Sequence, residues 1–203
     1  DEWSKVQGRF VDLPFVSASD EVIALVAKAI RAQYAHPEGD EVADLVFKEL
    51  KSRRPNLSPE VLIDLENSWP MHPTVAALLA PASRKRYGQN ERSLFGFIGS
   101  SEPNGFKEYL THAPFDPLSA YTPADYWNYL KANFEPQILS SSDSHRWALS
   151  VNALERAEVR FSSEHLNILK TIAVLELFKD GSGLLPTESL LATSTGLSAV
   201  GTR

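Results

Sequence analysis

Apolar residues recur every three or four positions along most of this chain, and the breaks between runs carry helix-start and helix-stop residues. In "VSASDEVIALVAKAIRA" Val22, Val26 and Ile30 share a face, Ser19 stands as N-cap, and Asp20 and Glu21 suit a positively polarised first turn. "DEVADLVFKELKSRR" repeats the pattern with Val42, Leu45, Val46 and Leu50. "SPEVLIDLENS" predicts a third helix, with Ser58 as cap and Pro59 at its first position. The proline-stiffened "WPMHP" then leads into "TVAALLAPASRKRY", which should kink or restart at Pro81 and end on Gly88.

Further along, "YTPADYWNYLKANF" opens with Thr122, Pro123 and Asp125, the pattern of a capping box, and carries a stripe of Tyr126, Leu130 and Phe134. "SHRWALSVNALERAE" aligns Trp147, Val151 and Leu154. "SSEHLNILKTIAVLELFKDG" is apolar around most of its circumference and predicts a central helix, with a narrow polar face of Asn167, Lys170 and Thr171 and an end at Gly181. The sole strand signal is "GRFVDLPFV" near the start. The fold class that follows is all-α: a helical bundle with at most one short N-terminal strand. The serine cluster at 140–144 suggests a division, with residues 1–17 as an edge or linker, 18–140 as a helical bundle, and 141–203 as a second unit. The order helix, glycine turn, short helix ("PTESLLATSTG") in that second unit matches the start of a winged-helix module, whose remainder would lie beyond Arg203.

Composition narrows the possible functions. The net charge of -6 argues against a dedicated nucleic-acid binder, leaving DNA as a weak partner candidate through the winged-helix part. The absence of cysteine removes disulfides and thiolate metal sites and agrees with a cytoplasmic location. No apolar run reaches the length needed to cross a bilayer, so no membrane partner is expected. A chain beginning Asp1-Glu2-Trp3 without Met reads as a piece of a longer protein.

Candidate chemistry is sparse. The five histidines, at 36, 72, 112, 145 and 165, are scattered and give no metal-ligand spacing. There is no GxSxG, no His-Glu-x-x-His and no GxxxxGK[ST], so no catalytic residues are assigned. One arrangement is unusual. After Gly88, the cluster Gln89-Asn90-Glu91-Arg92 opens a helical pattern, with Asn90 as cap and Arg92 in the first turn. A cation there opposes the helix dipole by about 0.3–1 kcal/mol, and a bound anion would reverse that sign. Arg84, Lys85 and Arg86 just upstream thicken the positive field. The alternative is an ion pair of Arg92 with Glu91 or Glu102 and a solvated basic face. His72 and Pro73 raise a parallel choice between a flat surface beside a planar ligand and a plain connector with Trp69 packed inside. For Tyr126, Trp127, Tyr129 and Trp147, helical spacing favours core packing over a stacking platform.

Three stretches in order, "VQGRFVDLPF", "WPMHPTVAALLAPASRKRYGQNERSLFGFI" and "LNILKTIAVLELF", resemble large bacterial P-loop ATPases of the AAA+/STAND-like kind from phage-defence or restriction-type gene neighbourhoods. The most specific element is Gln89-Asn90-Glu91-Arg92-Ser93-Leu94-Phe95, followed by the His72-Pro73 pair. The resemblance implies that the chain is the helical lid, then a truncated winged-helix module, downstream of an ATPase core that it does not contain. It makes His72 and Pro73 candidates for the base side of a nucleotide. Arg92 becomes a candidate phosphate sensor and Gln89 and Asn90 further nucleotide-binding candidates, with ATP and Mg bound mainly by the upstream core. That core and other subunits of a defence complex are the implied partners.

Overall fold

The computed structural model describes residues 19–30, 38–85, 87, 96–99, 101–114, 116 and 119–195. Among these the regular structure is helical, and the one sheet-like feature is an isolated parallel bridge between Met71 and Tyr121. The expected strand over 8–16 lies outside the described residues. The helices are α1 Ser19–Ala29, α2 Gly39–Arg53, α3 Glu60–Glu66, α4 Pro73–Arg84, α5 Phe106–His112, α6 Pro123–Leu139, α7 Ser144–Glu158, α8 Ser163–Ser182 and α9 Glu188–Ser194. No helix among the described residues is long and apolar enough to cross a membrane.

Local sequence explains most of the boundaries. At the start of α6, the Thr122 hydroxyl accepts from the Asp125 N–H, and the Asp125 carboxylate accepts from the Thr122 N–H at 2.8 Å. That reciprocal box fixes the first turn. Thr187 caps α9 through the Leu190 N–H. The α4 helix differs from expectation in two ways. It runs through Pro81 as one element, and it ends at Arg84 with Lys85 as its cap, short of Gly88. Pro81 is buried within α4, and its ring faces Gly181 of α8.

The α8 helix also departs from its expected form. It passes Gly181 and stops at Gly183, whose φ of 78° is the left-handed conformation that glycine adopts without penalty. Gly181 has a different task. A Cβ there would lie 2.8 Å from the Pro81 Cβ, so the missing side chain lets α8 approach α4. Thr171, expected on a polar face, is fully buried, while the turns before it are exposed or half-buried. Only the second half of α8 is central.

That half packs on α4 and α6, and α7 lies along α8; α1 packs on α3 and α4, and α9 bridges α2 and α8. One hydrophobic core runs from Val22 to Leu190. Its largest members are rings: Phe97 meets Tyr121, Tyr126 and Tyr129 at centroid distances of 5.4, 5.3 and 4.8 Å, and Trp127 stacks on Trp147 at 4.2 Å. The aromatic set is therefore packing, as its spacing indicated. The core also crosses the serine cluster at 140–144, since Trp147 and Phe178 from beyond it join Trp127 and Tyr126 from before it.

Candidate functional site

The His72-Pro73 pair sits at the root of α4, held from three sides. Its backbone is pinned by the bridge: the His72 N–H donates to the Tyr121 carbonyl at 3.0 Å, and the Tyr121 N–H donates to the Pro70 carbonyl at 2.8 Å. The His72 ring caps its own helix, because Nδ1 accepts from the Thr74 N–H at 3.1 Å. An accepting Nδ1 places the proton on Nε2, which donates to the Thr193 carbonyl of α9 at 3.1 Å. Beside it the hydroxyls of Thr74 and Ser194 lie 3.3 Å apart. Trp69, itself buried, meets the imidazole edge-on at 5.5 Å. His72 is 2% exposed: Nδ1 caps α4, Nε2 joins α4 to α9, and the ring packs against Trp69.

At the other end of α4 the basic residues divide. Lys85 donates to both oxygens of Asp143, at 2.9 and 3.0 Å, and the Tyr87 hydroxyl donates to the same carboxylate at 2.5 Å. Burial by itself raises the Asp143 carboxyl; the hydrogen bonds from Lys85 and Tyr87 and the charges of Lys85 and Arg146 outweigh it and hold the group below its ordinary value. Burial, reinforced by Asp143, pushes the Tyr87 hydroxyl well above its ordinary value, so it remains a donor. Lys85 is thus an anchor of α4 onto the start of α7.

The guanidinium of Arg54, the C-cap residue of α2, lies near that same end. Burial lowers its pKa, Asp20 opposes the change, and the charge of Arg84 adds to it. Its Nη1 donates to Asp20 at 3.4 Å, while Nε and Nη2 are buried and meet no acceptor among the described residues. Neither Arg54 nor Asp143 was flagged by the sequence. A basic residue before Pro55 at a helix end looks like ordinary dipole compensation, and an aspartate inside "SSSDS" looks like loop.

Arg86, Gln89, Asn90 and Arg92 lie outside the described residues. Glu102, one carboxylate the sequence offered to Arg92, accepts from the Tyr129 hydroxyl at 2.6 Å and lies against Gly96. Of the apolar positions that follow Arg92, Phe97 is in the core and Ile98 packs against it; Leu94 and Phe95 are outside the described residues. A separate open cleft of about 390 Å³ lies between α5 and α6, bordered by Glu108, Tyr109, His112, Asp125 and Asn128. Its polar groups are largely committed to the fold: Asp125 to the α6 cap, Tyr109 to Ser119 at 2.9 Å, and Glu108 to the Asn104 N–H. No three His, Asp or Glu side chains among the described residues gather as a metal ion would need. No protein-family model, no curated protein and no solved structure matches the chain.

Proposed function

We propose that this chain is the nucleotide-sensing helical lid of a bacterial P-loop ATPase, with ATP and Mg held mainly by an upstream core. The reading starts from the resemblance carried by Gln89-Asn90-Glu91-Arg92-Ser93-Leu94-Phe95. The observation that carries it further is the anchoring of α4 at both ends. The helix is clamped through His72 at its root and through Lys85 to Asp143 at its tip, immediately before the segment that holds Arg92. A phosphate held by Arg92 therefore acts on a braced rod, and through it on the shared core. Such coupling shifts a conformational equilibrium only by the difference in contact between the nucleotide-bound and empty states.

His72 and Pro73 enter this proposal as the root of α4 and not as a surface for the base, because the imidazole is spent on Thr74 and Thr193. The winged-helix assignment for 141–203 and any DNA contact belong to the same proposal as its downstream output. The test is calorimetric titration with MgATP of the chain joined to the upstream core that the proposal calls for. Arg92→Ala is expected to weaken binding about tenfold or more, the value of a charge-assisted contact. Unchanged affinity removes Arg92 from the mechanism.

A second reading, a helical protein-interaction module without a nucleotide role, is favoured by one observation. Val159 and Phe161 are 86% and 53% exposed in the α7–α8 connection, beside the half-covered start of α8. In that case MgATP leaves the chain unaffected.

A further inference from the structure

The guanidinium of Arg54 is placed at a junction of helix ends. Asp20 belongs to the first turn of α1, Arg54 follows α2, and the last turn of α4 carries Pro81 and Arg84. The end of α8 touches two of these. Gly181 faces Pro81, and a Cβ on Gly183 would lie 3.1 Å from the Arg53 Cβ. The Arg54 side chain is 28% exposed, so it lies just beneath the surface.

What makes this residue unusual is the pattern of its hydrogen bonds. Nη1 has a long contact with Asp20 at 3.4 Å. Its Nε and Nη2 are buried and meet no acceptor among the described residues. In a planar guanidinium the Nε–H and one Nη2–H point the same way and form a two-pronged fork. That fork matches the spacing of two oxygens on one carboxylate or phosphate group. Buried charged N–H groups without acceptors are costly, and native structures nearly always satisfy them. The second guanidinium nearby, Arg84, lies close enough to be felt at Arg54. Two cations favour a doubly charged anion over a singly charged one. The opposing charges are Asp20, already engaged through Nη1, and Glu21 in the same first turn.

We infer that Arg54 forms a binding site for a phosphate-class oxyanion, taken bidentately on its Nε and Nη2 edge with Arg84 supplying added field. The anion enters from the exposed side of the residue after a rotation of the side chain that turns the fork outward. This site is distinct from the one proposed around Arg92 and stands whether or not the chain is an ATPase lid.

The experiment is run on the full chain carrying Arg92→Ala, so that failure of the lid reading leaves its result intact. Inorganic phosphate, ATP and acetate are titrated separately while the Arg54 Nε–H resonance and the thermal midpoint are followed. Inorganic phosphate is expected to move the Nε–H signal downfield and to raise the midpoint. The ATP arm tells whether a nucleotide phosphoryl group serves as well as the free ion, and a response at Arg54 in either arm supports the site. Arg54→Lys keeps the charge and loses the fork, and is expected to bind phosphate about tenfold or more weakly. Arg54→Met removes the two buried N–H groups that meet no acceptor at the cost of one long contact with Asp20, so it should fold and show no phosphate response. Phosphate binding unchanged in Arg54→Lys, an equal response to acetate, or no movement of the Nε–H signal in any arm overturns the inference.

Discussion

Asp143 is 6% exposed and carries three hydrogen bonds, two from Lys85 and one from Tyr87, so its charge is part of the fold. Replacing it with Asn leaves the Lys85 ammonium facing a neutral amide and takes away a charged acceptor from Tyr87. We expect Asp143→Asn to lower stability by about 2 kcal/mol in urea denaturation at pH 7. The pH dependence follows from the direction of the shift. The folded carboxyl titrates below the ordinary value, so the unfolded chain takes up the proton first as acid is added. The contribution is complete above the unfolded pKa of about 3.9 and is lost as pH falls through the lower folded value. The stability gap between wild type and Asp143→Asn should therefore begin to narrow below about pH 4 and close only below the folded pKa of Asp143. Thr171 is the opposite case: its buried hydroxyl has no partner among the described residues. Thr171→Val keeps the shape, and should raise stability by about 1 kcal/mol in the same assay.

At the scale of elements, the two glycines at the end of α8 separate a packing role from a conformational one. Gly181→Ala drives a methyl against the rigid Pro81 ring at 2.8 Å, and is expected to cost about 1–3 kcal/mol. Gly183→Ala places a side chain at φ 78° with its Cβ 3.1 Å from Arg53, costing about 1–2 kcal/mol from the backbone alone. The two variants differ diagnostically: removing the Pro81 Cβ by Pro81→Gly should relieve part of the Gly181→Ala cost and leave Gly183→Ala additive, measured as a double-mutant cycle. The sequence pattern ended α8 at Gly181, two residues early, because nothing local shows that Gly181 is kept small by its contact with Pro81 while Gly183 takes the left-handed turn. The cap at Thr122 was legible because its partner, Asp125, lies three residues away. The length of α4, the burial of Thr171 and the short α5 were not, since each depends on what packs from a distance. The candidate site divides the same way. His72-Pro73 stood out as a rigid pair, yet its clamp on Thr193 joins residues 121 positions apart. Arg54 gave no signal at all.

On the scale of the whole molecule, one core from Val22 to Leu190 ties the described helices together, and α4 crosses it from its His72 clamp to its Lys85 anchor. Cations collect at the far end, where Arg54 and Arg84 precede the segment bearing Arg92. In this account the core transmits, the basic end senses, and the exposed apolar rim of Val159 and Phe161 at the α7–α8 connection is not part of sensing. The most direct measurement is a map of this chain's backbone amide shifts, with the chain joined to the upstream core that the proposal calls for, as MgATP is added and with adenosine as the control. The account predicts changes concentrated over residues 84–95 and around Arg54, absent with adenosine and lost over 84–95 in Arg92→Ala. Shifts confined to the α7–α8 rim, or none with MgATP, would contradict it.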